Sequence, residues 1–129
     1  MSPVPAGTER VRPFLPAKDF ATSVRFYEAL GFTKVLDSEV AIFNAPSGGF
    51  VLQRAYVKEW AENLMLQLLV DDLDAWWTHI AALDLPARFG VQAPKPPAMQ
   101  PWGLRTAYVY DPSGVLWHVA QRRPGAAQD

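Results

Sequence analysis

The sequence predicts an α+β fold in which two tandem βαβββ modules share one core. The first observation behind this is an internal repeat. Lys18 to Phe32 lines up without a gap on Asp71 to Leu85, an offset of 72 − 19 = 53 residues. Asp19 meets Asp72, Phe20 meets Leu73, Val24 meets Trp77, Tyr27 meets Ile80, and Ala29-Leu30 meets Ala82-Leu83. Such copies share a core because neither buries its apolar face alone. The second observation is that each copy follows an apolar run and precedes strand-like stretches. The third is Asp111-Pro112-Ser113-Gly114, a four-residue turn signal between two strand-like runs.

The elements follow in order. Residues 1–9 read as a loose tail. Val11 to Pro16 is extended, and its two prolines suit an edge strand. Asp19 is an N-cap for a helix over about 20–30, with Phe20, Val24, Tyr27 and Leu30 on one stripe and Gly31 ending it. Strands are predicted at about 32–37, 40–44 and 50–54, separated by turn-forming residues. Residues 55–62 bridge the modules. A strand at 63–70 and a helix at about 72–84 open the second module, and a weak strand is predicted near 87–91. The prolines over 92–103 predict a loop, and the last two strands are Arg105 to Tyr110 and Val115 to Gln121. Residues 122–129 read as a second loose tail. Module one is thus about 10–55, module two about 63–121, and together they make one domain over 10–121.

Composition narrows the function classes. At 129 residues the chain can bury roughly two thirds of its unfolded surface. The absence of cysteine removes disulfides and thiolate chemistry and suits a reducing cytoplasm, the expected location. Net charge is −1 with no basic stripe, so nucleic acid is not an expected partner. No apolar run approaches the ~18 residues of a membrane span, and no secretion signal is read at the start. Five tryptophans exceed what a small core requires.

The run Asp19-Phe20-x-x-Ser23-Val24-x-Phe26-Tyr27-x-x-Leu30-Gly31-Phe32, with Asp111-Pro112-x-Gly114-x-x-Trp117, resembles the vicinal oxygen chelate superfamily of glyoxalases, bleomycin-resistance proteins and extradiol dioxygenases. The resemblance covers about residues 10–121. It implies that the modules' sheets curl into a cup-shaped mixed sheet with helices outside, that the ligand sits in the cup, and that the protein is often a homodimer. In metal-using members a His seven residues before each helix-starting Asp, a carboxylate or Gln on the last strand of module one and a Glu on the last strand of module two supply the ligands. Those positions here are Arg12, Met65, His118 and, with a register uncertain by one residue, Gln53. A guanidinium has no lone pair to give, and a thioether is a poor ligand for hard first-row metals. The expected site therefore has no metal and needs no cofactor.

Each candidate has two readings. Arg12 either points into water from an edge strand or offers its fork to a ligand. His118 alternates with Leu116 and Ala120, so it is either a pocket group, a candidate base included, or a core histidine bonded to backbone. Gln67 shares the face of Met65, as ligand contact or structural hydrogen-bonder. Trp60 and Trp102 lie in connecting segments, where a core rarely needs an indole, and are expected to wall the cup. Trp76 and Trp77 are expected to pack in the core, and His79 to be solvated. Arg105, Arg54 and Tyr56 are placed near the same rim, while Glu59 and Glu62 supply modest negative charge. The function expected is metal-independent binding of a planar or amphipathic small molecule, as in sequestration by bleomycin-resistance proteins. The alternatives are a glyoxalase-type lyase or isomerase, or a dioxygenase, with an altered metal site or with His118 as base, and a module that binds only a protein partner.

Overall fold

The computed structural model describes residues 4–122. Of the tails expected at 1–9 and 122–129, residues 1–3 and 123–129 lie outside the described residues. Module one supplies β1 (Phe14–Pro16), α1 (Phe20–Leu30), β2 (Thr33–Asp37), β3 (Ala41–Ala45) and β4 (Gly48–Gln53). A one-turn helix, α2 (Lys58–Ala61), sits in the connector. Module two supplies β5 (Met65–Val70), α3 (Leu73–Ala82), α4 (Leu85–Phe89), β6 (Lys95–Met99), β7 (Arg105–Tyr110) and β8 (Leu116–Gln121).

The repeat is visible in the backbone. Asp19 accepts the N–H of Thr22 at 3.1 Å and Asp72 accepts that of Ala75 at 2.9 Å, the same N-cap 53 residues apart. Gly31 ends α1 at φ 118°, and its counterpart Asp84, at φ 51°, is the one non-glycine residue with positive φ among the described residues. Asp tolerates this conformation better than most side chains, so both modules turn out of their helix at the same place.

Each module makes its own four-stranded mixed sheet, ordered β1-β4-β3-β2 and β5-β8-β7-β6. The first strand runs parallel to the last in both, with Leu15 opposite Leu52 and Gln67 opposite His118. The two sheets are not joined into one. Alternation then sorts the side chains. In sheet one Leu15, Leu52 and Ala41 share a row and are fully buried, while Phe14, Val51 and Ile42 share the opposite face. In sheet two Ala107 and Val109 are fully buried beside Trp117 and Val119, while Gln67, His118 and Tyr108 form one row of the other face. One core takes the inner faces of both sheets together with Val24, Phe26, Tyr27, Leu73 and Ile80. Phe50 and Trp117 touch across it with ring centroids 5.6 Å apart. The other two sheet faces are left open.

Two predictions are corrected. The weak strand near 87–91 is helix: α4 has Pro86 in its first turn and Gly90 at φ 68° as its stop. The proline-rich stretch 92–103 is not all loop. It contains β6, and Pro96-Pro97 fall in the register shift between Lys95 and Ala98, where ladder bonding is interrupted. As the edge strand, β6 tolerates residues with no N–H to give.

Candidate functional site

The open face of sheet two gathers most of the predicted residues. Met65, Leu66, Gln67, Trp102 and His118 line a cleft of about 380 Å³. Met65, Leu66 and Gln67 also line an adjoining cleft of about 560 Å³ that runs past Val11, Pro13 and Gly49 toward module one. β5 and β8 position this set, because parallel pairing places Gln67 beside His118 and antiparallel pairing places Tyr108 on its other side. The loop ahead of β7 delivers Trp102. It is closed by the N–H of Gln100 on Leu104 O at 3.1 Å and that of Gly103 on Gln100 O at 2.9 Å. Trp102 is 49% exposed, with its ring 5.9 Å from that of His118. Met65 is 61% exposed.

His118 carries the chemical signal of the site. Its Nε2 is buried with no hydrogen-bond partner, and Tyr108 stands edge-on to the imidazole at 4.9 Å. Burial lowers its pKa from the ordinary histidine value, because the charged form is the one desolvation penalises. The imidazole is thus neutral at neutral pH, with a ring nitrogen that the protein itself leaves unsatisfied. Among the described residues the cleft lining holds no formal charge: a thioether, an amide, an indole, a leucine and a neutral imidazole.

The remaining candidates lie elsewhere. Arg12 is half-buried on the open face of sheet one, and its Nε and Nη2 both donate to Asn44 Oδ1, at 3.3 and 3.1 Å. This amide is the partner that a desolvated guanidinium requires. Gln53 ends β4 opposite Pro16, on the same face as Val51 and Phe14. Trp60 lies half-buried in α2 and lines neither cleft of sheet two. Arg105 turns the other way, because it shares the parity of Ala107 and Val109. Its Nη2 meets Asp74 Oδ1 on α3 at 2.8 Å, which takes it off the rim. Arg54 is also committed, donating to the carbonyls of Ser38 and Glu39 while stacking 4.0 Å over Phe20. Tyr56 lines a separate polar cleft with Lys18 and Glu62. His79 is not simply solvated: its Nε2 lies 2.8 Å from Leu30 O, an otherwise orphaned carbonyl at the end of α1. Tyr108 and Asn44 were not foreseen. Strict alternation from His118 across to β7 would have found the tyrosine.

The positions that hold metal in metal-using relatives do not fit a metal here. Arg12 and Gln53 lie on one sheet and Met65 and His118 on the other, with a guanidinium and a thioether among the four. Among the described residues no group of three or more His, Cys, Asp or Glu side chains is placed to hold an ion.

Residues 10–119 match the sequence pattern of the Glyoxalase/Bleomycin resistance protein/Dioxygenase superfamily. The chain belongs to this superfamily. It is 30% identical over 132 residues to a bleomycin resistance protein of Klebsiella pneumoniae, covering 88% of this chain and 93% of that one. Among solved structures it is similar to a bleomycin-binding protein complexed with bleomycin, with a TM-score of 0.76 at 26% identity and coverage of 90% and 100%. It is likewise similar to the bleomycin-binding protein of Streptomyces verticillus complexed with copper(II)-bleomycin, with a TM-score of 0.75 at 25% identity and coverage of 92% and 99%. Together with the paired βαβββ modules, these matches bear out the resemblance read from the helix and turn motifs.

Proposed function

We propose that this protein sequesters a planar or amphipathic small molecule on the open face of sheet two, without metal and without altering the ligand. The observation that carries the reading is the pairing of an exposed indole, Trp102, with the buried, unpartnered Nε2 of His118 beside Gln67. An aromatic anchor over a few convergent polar groups is the usual composition of a small-molecule site. The uncharged lining favours a flat, neutral part of the ligand, stacked on Trp102 and hydrogen-bonded to Gln67 and, once the imidazole turns to bring a nitrogen to the surface, to His118. Bleomycin is the first ligand to test, since two similar solved structures are of bleomycin-binding proteins complexed with it.

The same reading includes a homodimer in the cytoplasm. Arg12 and Gln53 lie on the open face of sheet one, with Phe14 54% exposed beside them. Both open faces point away from the shared core. A second copy that lays its sheet-one face over sheet two would bring Arg12 and Gln53 to the cleft of His118 and cover Phe14 and Met65.

The test is a bleomycin titration followed by tryptophan emission, with recovery of the ligand afterwards. Quenching that saturates, a loss of about ten-fold in affinity in Trp102→Ala, and ligand recovered unchanged are expected. Absence of binding at 100-fold excess over protein would overturn the reading, and chemically altered ligand would replace it with an enzymatic one using His118.

A further inference from the structure

A further cleft of about 520 Å³ runs along the seam where the modules meet and reaches the edge of the open face of sheet one at Asn44. Its walls are Phe32 and Val35 from module one and Leu68 and Trp76 from module two, and its mouth holds Arg10 and Asn44. Among the described residues no carboxylate lines it, and Arg10 is the only formally charged side chain in the lining.

The state of that guanidinium is informative. Arg10 is exposed as a residue, but its side chain is 28% exposed and lines the cleft. A guanidinium presents five N–H donors. The contacts of Arg10 are two long ones: Nη1 to Gly48 O at 3.5 Å, and Nε to Glu9 Oε1 at 3.5 Å, where Glu9 is 80% exposed. Both sit at the far limit of a hydrogen bond or weak ion pair, and the glutamate is screened by solvent. The contrast with Arg12 is sharp, since that guanidinium is fully engaged on Asn44 at 3.1 and 3.3 Å. A guanidinium can only meet an oxygen, so Arg12 also fixes the flip of the Asn44 amide. Oδ1 is taken, and Nδ2 is left as a further donor.

We infer that the seam cleft is a second binding site, for a molecule with a flat apolar body and an anionic head such as an aromatic carboxylate. The body lies between Trp76, Leu68, Phe32 and Val35, and the head takes the fork of Arg10 with Asn44 Nδ2. Carboxylate against guanidinium is the pairing this geometry serves best. The lining around His118 within one chain is uncharged, and the Arg12 that a second copy would bring to it is already engaged on Asn44, so the two sites select different ligand chemistries.

The probes are 1-naphthylacetate and its uncharged amide, added to ¹⁵N-labelled protein while the indole N–H signals of its tryptophans are followed. Naphthylacetate is expected to shift the Trp76 signal and leave Trp102 in place, with the amide at least five-fold weaker. Arg10→Gln, a change in an exposed coil segment, is expected to weaken naphthylacetate by about ten-fold while the buried Trp117 signal reports an intact fold. No shift at Trp76 with millimolar naphthylacetate, or equal binding of acid and amide, overturns the proposal. So does a shift confined to Trp102, which would assign the probe to the sheet-two site. A bleomycin titration on the same sample reads that site through Trp102, so the failure of either reading is seen separately.

Discussion

Removing one oxygen atom, in Tyr27→Phe, tests how the two modules are held together. Tyr27 lies on α1 and is fully buried. Its hydroxyl donates to Asp111 Oδ2 at 2.6 Å and accepts from Trp117 Nε1 at 3.0 Å, contacts that span 84 and 90 residues of sequence. Asp111 is held on its other oxygen by the N–H groups of Ser113 and Val115, both at 2.8 Å, so it cannot turn to find a new donor. The variant leaves a buried carboxylate oxygen and a buried indole N–H without partners. A hydrogen bond to a charged group is worth about 1.5–3 kcal/mol and a stranded neutral donor about 1–2, while the more apolar ring returns a fraction, so a net loss of about 2.5–4 kcal/mol is expected. With an unfolding entropy near 2.1 cal/mol/K per residue, that lowers Tm by roughly 10 °C. The size should also depend on pH. Burial raises the pKa of Asp111, and the hydrogen bond from Tyr27 is the largest influence pulling it back down. Without that bond the ionised carboxylate is worse placed, so the penalty is largest at pH 7 and smaller at pH 4, since the carboxyl, its pKa raised by burial, takes up its proton as pH falls. Thermal unfolding by circular dichroism at both pH values measures it. A Tm within 2 °C of the parent at pH 7 would refute the reasoning.

Two further substitutions probe the site and its support. Since burial lowers the pKa of His118, the unfolded chain protonates this residue first as pH falls through about 6.5. Its neutral form therefore favours folding above that pH, and the advantage is lost as pH drops toward the folded value. Between pH 7.5 and 5 the parent should lose more Tm than His118→Asn, and parallel curves would contradict the burial of Nε2. Gly49→Ala places a Cβ 2.4 Å from Phe43 O and 2.7 Å from Asn44 Oδ1, whereas one on Gly48 meets nothing within 4 Å. Gly49→Ala should cost about 1–3 kcal/mol by overpacking and disturb the Asn44–Arg12 pair. Gly48→Ala serves as the control, and equal unfolding midpoints in urea for the two would count against the close approach of Gly49 to β3.

The skeleton was legible because it rests on local signals that occur twice. Asp19 and Asp72 announce their helices within three residues, and Phe20, Val24, Tyr27 and Leu30 repeat as Leu73, Trp77, Ile80 and Leu83. What escaped were features decided by neighbours distant in sequence. β6 was hidden by Pro96-Pro97, which are acceptable only because the strand lies on an edge and breaks its register there. The partner of Arg12 is 32 residues away, and nothing near Arg12 names Asn44. The direction of Arg105 was readable in principle, since it shares the parity of Ala107 and Val109. Proximity to the loop of Trp102 suggested the rim instead.

The repeat also explains where function was free to change. What the modules keep in common is the backbone frame: the N-caps, the left-handed turn at Gly31 and Asp84, and the parallel pairing of first strand with last. Those features are fixed by a core that both halves must fill. The outward faces have no such obligation, and the copies differ there too. Position 12 is an arginine and its counterpart at 65 a methionine. A cation at position 12 is tolerable because Asn44 solvates it from the next strand but one, and a bare thioether at 65 because the position is open to water. Among the described residues no carboxylate joins the neutral imidazole of His118 in its cleft, which agrees with the proposed recognition of a small molecule by shape and hydrogen bonds.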